Sequence, residues 1–241
     1  MLPIRDTIRS SSFPVINWII LALTGLVFLF EVSLSPTALS RLLYTFGLVP
    51  SRLGLNHPAQ LIAQPQPLIT LFTHMFLHGG WFHFLSNMWV LYIFGDNVED
   101  RMGSGRYLIF YLVSGLIAGL VQAIFVPNGQ VPAIGASGAI AGVLGAYFLM
   151  FPRARVLSLI PIFIFPWFVE IPAVIYLGFW FVSQLFSGVT SMGLPETASM
   201  GGVAWWAHIG GFLFGLIFSR LFTPPRQPVY SQYFPDDYSR G

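Results

Sequence analysis

The sequence predicts an all-α membrane protein, a bundle of six transmembrane helices with both termini in the cytoplasm. Composition, apolar segmentation and the placement of arginine each point there. Hydrophobic residues make up 55% of the 241 and charged residues 8%, against about 25% charged in a soluble domain, so lipid must solvate much of the surface. Six apolar stretches, at residues 15–34, 80–95, 107–126, 137–151, 169–187 and 205–222, approach the ~20 residues that cross a hydrocarbon core of about 30 Å. All eleven basic residues are Arg, and with six spans nine of them (Arg5, Arg9, Arg101, Arg106, Arg153, Arg155, Arg220, Arg226, Arg240) share one side, leaving Arg41 and Arg52 on the other. The positive-inside rule makes the richer side cytoplasmic.

The expected organisation is a cytoplasmic N-terminus at 1–14, a six-helix domain at 15–222 and a disordered cytoplasmic tail at 223–241, where Pro224, Pro225, Asp236 and Asp237 interrupt any apolar pattern. The first stretch follows Arg5 and Arg9 as a signal peptide would. It is too long for a signal core and reaches Glu31 without a small-residue cleavage site, so it is expected to remain as the first span. The connection at 35–79 mixes Pro, Asn, Gln and His with apolar residues, which suggests short interfacial helices. A further apolar piece at 156–168, broken by Pro161 and Pro166, is expected as part of an inner interfacial loop. The fourth stretch is too short to cross the core. Its helix must therefore begin below the surface, with 127–135 dipping inward as irregular backbone, tolerated only against protein or a wet cavity. The host membrane is expected to be a bacterial-type plasma (inner) membrane.

Several function classes are excluded or disfavoured. A net charge of +2 with scattered arginines gives no footprint for nucleic acid. The absence of cysteine removes thiol catalysis, disulfides and thiolate metal sites. His74, His78 and His83 lack a His-Glu-x-x-His arrangement, so no metal and no cofactor is expected; His74 and His78 fit as hydrogen-bonding members of the outer connection.

Polar groups within hydrocarbon are expensive and mark function or tight pairing. Ser137 lies fifteen residues before Pro152, His83 thirteen before Asp96 and His208 twelve before Arg220. At 1.5 Å per residue these are heights of about 22, 20 and 18 Å above the inner face, one common depth. A serine hydroxyl is a weak nucleophile until a base takes its proton, and histidine is the natural base near neutral pH. Ser137 is therefore the candidate nucleophile and His208 the candidate general base, later the acid for the leaving amine. No acidic residue falls at their depth, which predicts a dyad rather than a triad. His83 and Asn87, spaced i, i+4, share a helix face and could donate to an oxyanion, with the Ser137 N–H as a third donor. The bland readings stand beside these: a serine between Gly135 and Gly138 also suits helix packing, and His83 with Asn87 could simply tie helices together. A soluble hydrolase elbow is absent, because Ala139 stands where Gly-x-Ser-x-Gly needs its last glycine.

These residues resemble the rhomboid intramembrane serine proteases. The similarity runs from about Thr73 to Gly215, through His74-Met-Phe-Leu-His78-Gly79-Gly80-Trp-Phe-His83-Phe-Leu-Ser-Asn87, Gly95-Asp96-Asn97-Val98-Glu99-Asp100-Arg101-Met-Gly103, Gly135-Ala136-Ser137-Gly138 and Ala207-His208-Ile209-Gly210-Gly211 with Gly215. The resemblance implies a rhomboid-type six-helix bundle, a Ser137–His208 dyad, and an oxyanion hole built with His83 and Asn87. It also implies that Gly211 and Gly215 let the sixth span approach the fourth closely. Implied partners are transmembrane protein substrates, single-span proteins with a helix-destabilising segment near the cut, admitted past the fifth span and the loop after it. Two departures are visible. Arg41 and Arg52 have no adjacent tryptophan where some members carry a Trp-Arg pair, and Ala141 stands where some place an aromatic one turn after the serine. The alternative is a non-catalytic rhomboid-like protein that binds membrane clients. A channel or transporter would spread polar groups through the depth. Substrate identity and oligomeric state are not encoded legibly.

Overall fold

The computed structural model describes residues 1–53, 66–162, 165–192 and 203–225. Along these residues run β1 (Leu2–Asp6), α1 (Val15–Ser33), α2 (Pro36–Phe46), a 3-10 turn at Pro50–Leu53, α3 (Gln66–Thr73), a 3-10 turn at His74–Phe76, α4 (Trp81–Met102), α5 (Ser104–Phe125), α6 (Ser137–Met150), β2 (Arg155–Ile162), β3 (Phe165–Pro172), α7 (Ala173–Ser191) and α8 (Trp205–Phe222). Four of the helices, α1, α5, α7 and α8, are long and apolar enough to cross a membrane. The chain is an integral membrane protein. Helix α6 is apolar but has only fourteen residues, and α4 carries Asp96, Glu99, Asp100 and Arg101 at its C-terminal end.

Helix ends follow local chemistry. The Glu99 carboxylate accepts the N–H groups of Ile16 and Asn17 at 3.0 and 2.7 Å, so a residue of α4 caps the start of α1 and complements its dipole. Ser35 accepts the N–H of Ala38 and Pro36 occupies the first turn of α2, a serine cap followed by proline. Gly103 alone joins α4 to α5 at φ +82°, a left-handed conformation that favours glycine.

Helix α6 is the centre of the bundle: Gly138 through Tyr147 are all buried, and it packs against α4, α5 and α8. Its contact with α8 is backbone on backbone. A Cβ added to Gly211 would lie 2.0 Å from the Gly138 carbonyl oxygen, and one on Gly215 would lie 1.9 Å from that of Gly142. Gly145 closes the same seam from the other side, where a Cβ would meet the Phe212 carbonyl at 2.1 Å. Only glycine permits that approach, as expected where lipid offers no hydrophobic drive and close packing must substitute.

The segment before α6, expected to dip inward, has its backbone paired. Leu48 and Ala133 exchange N–H···O bonds at 3.0 and 2.8 Å, the Ser51 N–H donates to Gly129, and the Gly135 N–H donates to His74. The connection of α2, α3 and the two turns therefore supplies the partners that irregular backbone needs below a membrane surface.

The all-α expectation is corrected by a three-stranded antiparallel sheet in the order β1-β2-β3. The piece at 156–168, expected as a loop, is mostly strand, and β1 lies within the expected N-terminal segment. The prolines read as breakers face one another near the hairpin tip, Pro161 opposite Pro166. Beyond the reach of β1, a missing N–H at Pro161 leaves no ladder bond unmade on that side. Val, Ile, Phe and Trp along the two strands favour extended pairing. The hairpin also moves the fifth helix: it starts at Ala173 after Pro172, not at 169. The second helix differs as well. It runs from Trp81 to Met102 rather than ending at 95, because Asn97, Val98 and Glu99 are buried against the bundle. The third starts at Ser104 rather than 107. Most of the expected C-terminal tail, 226–241, lies outside the described residues.

The sheet is fastened to the helices through β1. Asp6 accepts from the Tyr147 hydroxyl of α6 and from Asn97 Nδ2 of α4 at 2.9 Å, and Trp89 Nε1 donates to the Pro3 carbonyl at 2.6 Å. Burial pushes the Asp6 carboxyl from its ordinary 3.8 up to about 6, opposed by the Tyr147 hydrogen bond.

Two outcomes follow from this packing. Gly215→Ala forces α8 off α6 and lowers stability by about 1–3 kcal/mol, read as a lower unfolding midpoint in detergent; an unchanged midpoint would contradict the backbone contact. The folded value of Asp6 lies above the unfolded one, so its protonation favours the fold below about pH 4, an advantage lost as pH rises through about 6. The thermal midpoint of wild type relative to Asp6→Asn should therefore fall between those pH values, whereas a pH-independent difference would refute the assignment.

Candidate active site

Ser137 is the first residue of α6 and His208 lies in the first turn of α8. Ser137 follows Gly135, whose φ of +121° turns the irregular segment into the helix. The glycine seam brings the two N-terminal turns together. His208 Nε2 and Ser137 Oγ are 2.8 Å apart, and His208 is buried while Ser137 is half-buried. The start of α8 is held by Gln122 of α5, whose Oε1 accepts the Ala207 N–H at 3.2 Å.

His83 and Asn87 project from α4 toward the same place. A Cβ on Gly135 would stand 2.6 Å from His83 Nε2 and 3.5 Å from Asn87 Nδ2. Two side-chain nitrogens thus converge two residues before the serine. The N–H groups of the first turn of α6, at Ser137 and Gly138, belong to the set that a helix leaves without intrahelical acceptors. Asn87 Nδ2 donates to His78 Nε2 at 3.0 Å, which fixes the amide. Burial pushes His78 down to about 4, with His83 adding to the effect, so its Nε2 carries the lone pair that this bond requires. Burial likewise pushes His74 down to about 4; its Nδ1 donates to the Thr70 carbonyl at 2.8 Å. The Glu31 carboxylate accepts the His78 backbone N–H at 3.2 and 3.1 Å, far from His208 in the sequence and serving the outer connection.

A cavity of about 800 Å³ opens onto Ser137, His208, His83 and Asn87, with Leu39, Leu43 and Tyr44 of α2 and Phe82 of α4 on its walls. Apolar walls around a few convergent polar groups are the usual form of a ligand-binding site. Among the described residues no group of His, Asp and Glu could hold a metal ion.

Residues 65–225, about two thirds of the chain, match the Rhomboid domain. The chain belongs to the rhomboid family. It is 28% identical over 170 residues to the presenilin-associated rhomboid-like protein, mitochondrial, of Mus musculus, which covers 67% of this chain and 39% of that protein. It is 41% identical over 76 residues to RHOMBOID-like protein 1 of Arabidopsis thaliana, 32% of this chain and 19% of that one. The chain thus covers less than half the length of these rhomboid-like relatives.

Sequence reasoning missed two residues of this rhomboid site, both on α7. Trp180 lies beside the His208 ring at 5.8 Å between centroids, tilted by 32°. It supplies from α7 an aromatic face that Ala141 does not supply from α6. Ala141 is instead part of the seam, 3.3 Å from where a Gly211 Cβ would be. Gln184 Oε1 lies 2.8 Å from His208 Nδ1. Both look like ordinary members of an apolar helix, and only Gln184, a polar residue within the fifth stretch, left a trace that could have been followed.

Gly135→Ala should lower the unfolding midpoint through a strained φ and a clash with His83, whereas Gly105→Ala, with nothing within 4 Å of its Cβ, should not. Equal midpoints for the two variants would count against the Gly135 geometry.

Proposed function

We propose that this rhomboid protein is an intramembrane serine endopeptidase. The observation that carries the reading is the 2.8 Å contact of His208 Nε2 with Ser137 Oγ, at the floor of a cavity that His83 and Asn87 also face. Helices α4 and α6 join the four long apolar helices as six spans, with both termini cytoplasmic on the strength of the arginine bias. The sheet then lies on the cytoplasmic face if the host is a bacterial-type plasma membrane; an organelle membrane fits the same hydropathy, and the mouse relative is named as mitochondrial.

In this mechanism His208 Nε2 removes the Ser137 hydroxyl proton as Oγ attacks the scissile carbonyl carbon. The oxyanion that forms is stabilised by His83, Asn87 and the Ser137 N–H. His208 passes the proton to the leaving amine, the C–N bond breaks, and an acyl-serine remains. Water, deprotonated by His208, then attacks the ester and releases the new carboxyl terminus. The substrates are transmembrane proteins with a segment that unwinds near the cut, since a helical backbone hides its carbonyls from attack. A client-binding role without catalysis has less support, because both Ser137 and His208 are present and within hydrogen-bond distance.

The test is labelling of the detergent-solubilised protein with a fluorophosphonate. Wild type should label, and Ser137→Ala and His208→Ala should not. A folded wild type that stays unlabelled would favour the client binder, and labelling that survives Ser137→Ala would move the nucleophile elsewhere. On a transmembrane substrate, His83→Ala or Asn87→Ala should lower kcat by roughly 10²–10³-fold, the usual effect of losing one oxyanion donor. Near-wild-type turnover in both variants would remove them from the oxyanion site.

A further inference from the structure

We infer that Gln184 is the positioning residue of the general base, a neutral amide standing where a triad would place a carboxylate. The inference rests on the Ser137–His208 dyad reading above and extends it to a third side chain from a third helix.

Its orientation is fixed by chemistry rather than by assumption. Gln184 is buried, and its Nε2 lies 3.3 Å from the Trp180 carbonyl oxygen and 3.0 Å from Ser183 Oγ. The Ser183 hydroxyl itself donates to the same Trp180 carbonyl at 2.6 Å. A carbonyl oxygen only accepts, so the amide nitrogen must face it. The opposite end of the amide, Oε1, then faces His208 Nδ1 at 2.8 Å. Oε1 also only accepts, so Nδ1 must carry the hydrogen. A neutral imidazole with its proton on Nδ1 has its lone pair on Nε2, the nitrogen 2.8 Å from Ser137 Oγ. Gln184 therefore selects the tautomer that can accept the serine proton. The opposite tautomer would donate to Oγ and could not act as the base.

The same contact holds the ring in the plane of the serine. Trp180 lies one turn before Gln184 on α7 and packs beside the His208 ring, with Trp205 edge-on at 6.2 Å. Rotation of His208 would break the Nδ1–H···Oε1 bond and give up these ring contacts. An amide meets the orienting requirement without a buried charge, which would be expensive among these apolar helices.

The experiment compares wild type, Gln184→Met and Gln184→Glu in fluorophosphonate labelling, recording the maximal inactivation rate, the half-saturating concentration and the thermal midpoint. Methionine keeps the length but has no comparable acceptor; glutamate keeps an acceptor oxygen. Gln184→Met should lower the maximal rate by about tenfold to a hundredfold, the span expected for a lost hydrogen bond to a group that becomes charged. Its half-saturating concentration should stay near wild type, and Gln184→Glu, which restores an acceptor for Nδ1 though it has no N–H for the Trp180 carbonyl, should recover part of the rate. Met labelling as fast as wild type would overturn the inference while leaving the dyad intact. Equal losses in both variants with lowered midpoints would reduce Gln184 to a packing role. A wild type that does not label would remove the dyad itself, and this inference with it.

Discussion

The distance between Ser137 and His208 is set by the contact between α6 and α8. With no water to expel from between two helices in lipid, their association depends on packing and hydrogen bonds. Gly145 on one side and Gly211 and Gly215 on the other leave no Cβ at the points of closest approach, with the small Ala141 beside them, so carbonyl oxygens of one helix rest against the α-carbons of the other. Because Ser137 and His208 both sit in N-terminal turns at the same end of that seam, the separation of the helices becomes the separation of Oγ and Nε2. A single Cβ inserted there has no soft neighbour to displace, only backbone. The catalytic geometry proposed for the chain and the stability of its centre are thus one constraint.

Around that seam, polar groups are matched in pairs that fasten elements remote in sequence. Glu99 caps α1 from α4, and Asn17 of α1 accepts from Tyr107 of α5 while donating to the Leu91 carbonyl of α4. At the other end Glu31 of α1 holds the His78 backbone, and His78 in turn holds Asn87. In a low dielectric such pairs are strong when complete and expensive when broken. The chain of contacts from Glu31 through His78 to Asn87 means that the first helix reaches the candidate oxyanion site without touching it.

Much of this was legible in the sequence because hydrocarbon is a severe filter. The long apolar stretches, the short fourth stretch, and the expectations that Ser137, His83 and His208 share a depth and that 127–135 dips inward all follow from what lipid does not tolerate. Where that filter is absent, the reading failed. The strands at Arg155–Ile162 and Phe165–Pro172 looked like a broken interfacial loop, since Pro161 and Pro166 signal interruption locally and only pairing shows them to be opposite one another at a hairpin tip. The second helix looked finished at Gly95 because charges follow, yet its last two turns are buried by capping α1 and receiving β1.

The sequence by itself determined the class of environment, the long apolar stretches and the polar side chains among them, since each is a property of local composition and of the cost of burying polar groups. It also places no acidic residue at the depth expected for His208, which is why the proposal is a dyad rather than a carboxylate triad. What orients the histidine was decided only by tertiary structure. Gln184 and Trp180 acquire their places because α7 lies against α8 and presents one face to His208, and that contact depends on helix rotation and crossing, which no pattern along a nearly uniform apolar helix records. The same holds for the convergence of His83 and Asn87 with Gly135, which two separate segments, α4 and the turn into α6, make only once they are packed.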